Sequence, residues 1–185
     1  MKGEIFNIYE DFVVDQYGRD SFEDHLTECK EALVTKEPFV GPATYPDSDL
    51  LVMLEKGCAR FRLSLPILLK NLGRFTFAKL ADKLPNFRER FPDAKSVLIG
   101  LNDMIHVEAR KLYRDAQPPV FVVQEISANK LSLTYVSKRK LYDLVDGLLL
   151  GLADYYGIKI EVKKILLDEA STKSCMFEID FGRGI

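Results

Sequence analysis

The spacing of apolar residues predicts a helical first half of the chain. From Gly3 to Gln16, apolar side chains recur three and four positions apart, which is the helical period, and Gly18 follows where a left-handed cap would end a helix. Ser21 and Asp24 resemble a capping box that opens a second helix. The helices predicted after the first one cover about residues 22–33, 47–61 and 65–84, with a Pro/Gly-rich loop after the second.

The second half mixes helices with strands. A helical pattern runs from about Ala94 to Tyr113, and the diproline Pro118-Pro119 stops it. After it, β-branched residues become frequent and apolar positions alternate with polar ones, a pattern typical of strands. The predicted strands are Val120–Ser127 and Leu131–Ser137, which form a hairpin, followed by Ile158–Val162 and Cys175–Phe181, with a helix over Lys140–Tyr156 after the hairpin.

These elements together predict an α+β fold. An all-helical N-terminal subdomain, about residues 1–64, packs on a C-terminal α/β subdomain, about residues 65–185, with a roughly four-stranded antiparallel sheet. A length of 185 residues suits one domain with a real core and leaves no room for a catalytic output domain. We therefore expect a single domain over 1–185, whose output comes from a partner.

Composition excludes several classes of protein. The residues are 47% hydrophobic and 29% charged with a net charge of -2, so no field attracts nucleic acid. No apolar run reaches the roughly 18 to 20 residues of a membrane helix, and the first residues lack a signal-peptide pattern. We expect a cytoplasmic protein that binds neither membrane nor nucleic acid. The cysteines Cys29, Cys58 and Cys175 are predicted to be reduced, mostly buried thiols.

Three hydrogen-bond donors alternate near the end of the predicted hairpin. In an extended strand, Tyr135, Ser137 and Arg139 lie on the same side and could converge on a pair of carboxylates. The spacing alone leaves an alternative open, in which Tyr135 packs in the interior, Ser137 faces water and Arg139 pairs with a surface acid.

Two histidines are the candidates for imidazole chemistry. His106 lies on the flank of a strongly apolar helix, a setting that suits axial ligation of haem iron. The commoner alternative, a partly buried histidine bonded to a carbonyl, stays open, because spacing does not decide between the two. His25 lies among acidic residues, and we expect it on a solvated helix face. No hydrolase, metalloprotease or cysteine-nucleophile motif occurs, so we do not expect an enzyme.

Several separated motifs resemble the H-NOX family, the haem nitric oxide/oxygen binding domains. Met1-Lys2-Gly3 with Ile5 opens the chain, and Pro119 follows His106 by thirteen residues. The run Tyr-x-Ser-x-Arg begins sixteen residues after Pro119, and Gly-Leu-x-x-Gly occupies 147–151. The resemblance covers residue 1 to about Phe181.

This resemblance implies a haem b between the two subdomains. It makes His106 the proximal iron ligand and assigns the propionates to Tyr135, Ser137 and Arg139. It also implies that Pro119 presses on the porphyrin. The other residues that it places around the haem are Ile5, Tyr9, Thr76, Phe77, Leu144 and Leu148.

The resemblance further implies the ligand. Members of the family that hold oxygen use a distal tyrosine nine residues after the motif tyrosine, and that position is Leu144 here. Tyr9 and Thr76 stand where those members have tryptophan and asparagine, and Tyr9 could restore a donor if its hydroxyl reached the ligand. We therefore predict a sensor that binds nitric oxide, and also CO, at five-coordinate Fe(II) haem and excludes O₂.

The resemblance implies a separate signalling partner, either a histidine kinase or a cyclic-dinucleotide enzyme. Two alternatives stay open at this point. One is an O₂ or redox sensor that uses the same haem, and the other is a cofactor-free protein-interaction module.

Overall fold

The computed structural model describes residues 1–112, 118–169 and 172–182, and its first part is helical. Within the described chain, the helices of this part are α1 (Gly3–Tyr17), α2 (Arg19–Cys29), α3 (Asp47–Phe61), α4 (Leu65–Ala81) and the short α5 (Phe87–Arg90). Gly18, at φ +88°, separates α1 from α2 with a single residue. α2 therefore begins before Ser21 and Asp24, and the predicted capping box is wrong. The short α5 had no counterpart among the predictions.

The helix predicted from about Ala94 is interrupted. It consists of α6 (Ala94–Ile99), a π-helical turn (Leu101–Ile105) and α7 (His106–Leu112). Gly100 lies at the interruption, where an added Cβ would stand 2.5 Å from the Phe91 ring. The predicted end at Tyr113 and the side chains of Ala109 and Leu112 lie outside the described residues.

Within the described residues, four antiparallel strands form one sheet in the order β1-β2-β4-β3. They are β1 (Val120–Ser127), β2 (Lys130–Val136), β3 (Glu161–Glu169) and β4 (Thr172–Asp180), and α8 (Tyr142–Tyr156) follows β2. β3 begins later than predicted because Gly157 and Ile158 still close the end of α8 through hydrogen bonds to its last carbonyls. The predicted α+β class with a helical N-terminal part is confirmed.

The side chains form two hydrophobic cores. One is built by α1 to α4, and the other by the sheet, α6 and α8. The buried face of the sheet alternates as expected, with Phe121, Tyr135 and Cys175 paired across three strands. Cys29 is also buried, whereas Cys58 is half-buried, and all three cysteines are free thiols.

Helices α4 and α8 join the two cores. Leu68 and Leu72 of α4 lie in the helical core, whereas Phe77 packs against the sheet-side core. Gly73 and Gly147 permit backbone contact between the helices, since a Cβ at either position would collide with a carbonyl of the other helix. No described helix is long and apolar enough to cross a membrane.

Candidate functional site

A cavity of about 580 Å³ lies between the two cores. This volume falls within the range of about 300–1,000 Å³ that ligand pockets occupy. Both cores contribute to its wall, which is mostly apolar. Its lining includes Ile5, Phe77, Leu98, Leu101, Ile105, His106, Pro118, Pro119, Phe121, Leu133, Tyr135, Arg139, Leu141, Leu144, Val145, Leu148, Leu149 and Leu152.

His106 supplies an imidazole to this wall. It is the first residue of α7 and follows directly on the π-helical turn. Burial, aided by the nearby charge of Arg110, lowers the pKa of His106 to about 4. The imidazole is therefore neutral at physiological pH, which is the form that binds metals.

The segment that carries His106 is attached to β1. The Asn102 side-chain amide donates to the Phe121 carbonyl, and its oxygen accepts from the Phe121 amide at 3.3 Å. Asn102 lies one turn before His106, and Phe121 follows Pro118 and Pro119 closely in the chain. The histidine and the diproline therefore share one hydrogen-bonded unit, and both line the cavity.

The three predicted donors do not lie together on one face of a strand. Tyr135 is buried on β2 and lines the cavity. β2 ends at Val136, and a turn with Lys140 at φ +51° brings Arg139 to the cavity wall. Ser137 lies outside that wall, and its hydroxyl accepts from the Arg139 amide at 3.2 Å.

Arg139 forms an ion pair with Asp47 at the start of α3. Its Nε lies 2.6 Å from Asp47 Oδ2, and the Met1 α-amino group lies 2.6 Å from Asp47 Oδ1. Partial burial works to raise the pKa of Asp47, but these two cations hold it below its usual value. Asp47 also lines the cavity, so Arg139 is already paired with a carboxylate in the cavity wall.

The remaining predicted site residues divide into two groups. The apolar side chains of Ile5, Phe77, Leu144 and Leu148 line the cavity. Tyr9 and Thr76 lie outside the cavity wall. Thr76 is buried and donates to the Leu72 carbonyl within α4 at 2.7 Å. The Tyr9 side chain is fully buried in the helical core.

The prediction of a solvated His25 is wrong. The residue has 0% exposure and lies between α1 and α3, where its Nε2 is 3.0 Å from the Tyr9 hydroxyl. Burial lowers its pKa, so it is neutral. The acidic neighbours in sequence, Glu28 and Asp24, point to a different partner, Arg60 of α3. A four-residue spacing to the apolar Cys29 was the available sign of an inward position.

Comparisons with known proteins agree with this architecture. A family model described as haem-NO-binding matches residues 2–164. An H-NOX protein from S. oneidensis in the Fe(II)NO state is 30% identical, with a TM-score of 0.88, over 99% of this chain and 100% of that chain. The unliganded Fe(II) H-NOX protein from K. algicida is 28% identical, with a TM-score of 0.87, over 100% of this chain and 98% of that chain.

A structure of the Shewanella oneidensis H-NOX domain in the Fe(II)CO state is also similar, with 29% identity, a TM-score of 0.87 and full coverage of both chains. A search of curated proteins finds no match. The family model covers far more than half of the chain, and the similar structures extend over nearly all of it. The chain therefore belongs to the haem-NO-binding family of gas sensors, the H-NOX proteins.

Proposed function

We propose that this protein is a haem-based nitric oxide sensor that excludes O₂ and regulates a separate signalling enzyme. The observation that carries the proposal is the His106 imidazole in the wall of an otherwise mostly apolar cavity. In this proposal residues 1–185 form one domain, with a distal subdomain of about 1–64 and a proximal subdomain of about 65–185. Because α4 packs in both cores, the two subdomains share that helix.

The cavity residues fit a haem b group. His106 would hold the iron, since an imidazole in an apolar pocket is a common axial ligand. Tyr135 and Arg139 would bind the propionates, with Ser137 supporting Arg139 through its amide. The fit requires Arg139 to share its guanidinium between a propionate and Asp47.

The bound haem supplies an Fe(II) centre that takes a diatomic gas. Around that gas the chain would present Ile5, Phe77, Leu144 and Leu148, whose side chains have no hydrogen-bond donor. Bound O₂ is polarised and loses about 1.5–3 kcal/mol when a hydrogen bond to a charged acceptor is missing. Nitric oxide and CO depend far less on such a bond, so this wall favours them over O₂.

The signal would leave the site through the attachments of His106. A shift of α7 acts on the π-helical turn and, through Asn102, on β1. Pro119, which in this proposal presses on the porphyrin, belongs to the same segment. The Arg139–Asp47 ion pair also joins the cavity wall to α3. A cytoplasmic histidine kinase or cyclic-dinucleotide enzyme would bind the displaced surface, and the sensor itself would catalyse no reaction.

Absorption spectroscopy of the purified protein tests this function. We expect a Soret band after haem supplementation, a spectral change on adding nitric oxide or CO to the reduced protein, and no stable O₂ complex. A protein without a Soret band would overturn the haem assignment. A stable O₂ complex would overturn the selectivity and favour an oxygen sensor.

A further inference from the structure

The Tyr9 hydroxyl is held by a buried polar cluster in the helical core. Its oxygen lies 3.0 Å from His25 Nε2 and 3.2 Å from the Met53 carbonyl oxygen. Tyr9 and His25 are both fully buried. The Cys29 sulfur lies 3.8 Å from Nε2 and 3.9 Å from Nδ1 of the same imidazole. The hydroxyl is thus fixed between α2 and α3, away from the cavity.

The Tyr9 hydroxyl has an acceptor in the Met53 carbonyl and a possible donor in the His25 imidazole. A carbonyl can only accept, so the Tyr9 hydroxyl donates to Met53. With that proton committed to Met53, the Tyr9 oxygen accepts from His25, which carries its proton on Nε2. Burial raises the pKa of both Tyr9 and Cys29, which keeps their protons in place. The imidazole therefore fixes the orientation of the tyrosine.

α3 leaves room for the hydroxyl at Gly57. A Cβ at this position would stand 2.5 Å from the Tyr9 oxygen, which is closer than a carbon and a non-bonded oxygen can approach. Gly57 lies in the interior of a helix, where glycine lowers stability by about 1 kcal/mol relative to alanine. The glycine therefore accommodates the buried hydroxyl at a cost in helix stability.

From this cluster we infer that His25 is a specificity-determining residue of the gas site, acting by holding the Tyr9 hydroxyl out of the haem cavity. The inference rests on the proposed function. Tyr9 lies one helical turn after Ile5, whose side chain lines the cavity, so the two residues share a face of α1. Without the His25 bond, the Met53 carbonyl is the one partner of this cluster left to the hydroxyl, and a rotation toward the cavity offers it a bound polar ligand as an alternative hydrogen-bond acceptor. His25 itself is a positioning residue, because it touches Tyr9 and not the ligand.

Variants of the haem-loaded protein test this inference. His25→Leu removes the hydrogen bond and fills the buried position with an apolar side chain, and Gly57→Ala displaces the hydroxyl from α3 while favouring the helix. We expect both to bind O₂ tenfold or more tightly than the parent, with the CO affinity unchanged. His25→Gln keeps an N–H donor at this position and should bind O₂ as weakly as the parent. In His25→Leu/Tyr9→Phe the gain should disappear, because the hydroxyl is gone.

Proton NMR supplies a readout that is independent of gas binding. We expect a slowly exchanging hydroxyl proton in the parent, assigned by its absence in Tyr9→Phe, and its loss in His25→Leu. A rapidly exchanging Tyr9 hydroxyl in the parent overturns the inference. So does an unchanged O₂ affinity in both His25→Leu and Gly57→Ala, or a gain that persists in the double variant. A parent that binds neither nitric oxide nor CO overturns the proposed function instead.

Discussion

The imidazole of His106 lies beside the aromatic ring of Phe121, with ring centroids 5.7 Å apart and planes inclined by 31°. Phe121 follows the diproline. Its backbone carbonyl accepts a hydrogen bond from the Asn102 side chain, and its backbone amide donates one to the same side chain. The proposed iron ligand therefore contacts the first strand of the sheet, and Pro119, which precedes that strand, lines the same cavity. A displacement of His106 must be transmitted to β1, because interiors are closely packed.

His106→Gly should abolish iron ligation by the protein. The glycine leaves space in which added imidazole can replace the side chain, so we expect the parent spectrum to return when imidazole is supplied. Absorption spectra of the reduced protein with and without imidazole measure this. The matched control is His25→Gln, which should keep the parent spectrum because His25 lies in the other core. A His106→Gly protein with an unchanged spectrum would assign the iron to another ligand.

Leu144→Tyr should convert the site into one that holds O₂. Leu144 lines the cavity, and the tyrosine hydroxyl would supply a donor among the apolar side chains of Ile5, Phe77 and Leu148. We expect the O₂ affinity to rise tenfold or more, which corresponds to about 1.5–3 kcal/mol for a hydrogen bond to a charged acceptor. Oxygen titration of the reduced protein gives the value. Leu144→Phe has the same ring without the hydroxyl, and an equal gain in that variant would contradict the explanation.

Arg139→Leu should weaken haem retention. The substitution removes a charge-assisted donor worth about 1.5–3 kcal/mol, so we expect transfer of haem to an acceptor protein to be tenfold or more favourable. Asp47→Asn separates this effect from loss of the ion pair, since it frees Arg139 from its carboxylate partner without changing Arg139. We expect Asp47→Asn to retain haem at least as well as the parent. Equal loss in both variants would mean that the ion pair itself is what matters.

His25 should make stability pH-dependent in mildly acidic solution. Burial is the main cause that lowers the pKa of His25, with Arg60 and Lys56 adding to it and Glu28 opposing it. Below pH about 6.5, the unfolded chain binds a proton at this position that the native state does not. The free energy of unfolding therefore carries no penalty from His25 above that pH, and it falls as the pH decreases further.

Urea unfolding of the parent and of His25→Gln, compared at pH 7.5 and 5.5, measures this contribution. Carboxylates titrate in both proteins, so the difference between the two pH dependences isolates His25. We expect the parent to lose more stability than the variant over this interval. Identical losses would show that His25 is accessible to protons in the native state.

Gly147→Ala should destabilise the protein. An added Cβ would collide with the Lys70 carbonyl oxygen of α4, and forcing extra volume into a packed interface typically costs about 1–3 kcal/mol. Alanine at an open helix position would instead stabilise by up to about 1 kcal/mol. The sign of the change in unfolding free energy therefore decides whether α4 and α8 pack as tightly as the structure shows.

Most elements of the fold could be predicted from local patterns. The helical period of α1, α3, α4 and α8, the hairpin around residues 128–129, and the α+β class all follow from which residues are apolar. Boundaries were less accurate where a backbone feature overrides the pattern. Gly18 allows α2 to begin at the next residue after it. The hydrogen bonds between Asn102 and Phe121 accompany a π-helical turn that the spacing of apolar residues does not predict.

The sequence by itself determined most of the elements, the family resemblance and the residues proposed to bind the haem, because spacing along the chain carries that information. Only the tertiary structure decided which of these side chains meet. His25 and Tyr9 are far apart in sequence, and their bond depends on how α1, α2 and α3 pack. Asp47 reaches Arg139 across 92 positions, a contact that no local pattern encodes. Burial of a polar group is a property of its neighbours in space, and those neighbours exist only in the folded chain.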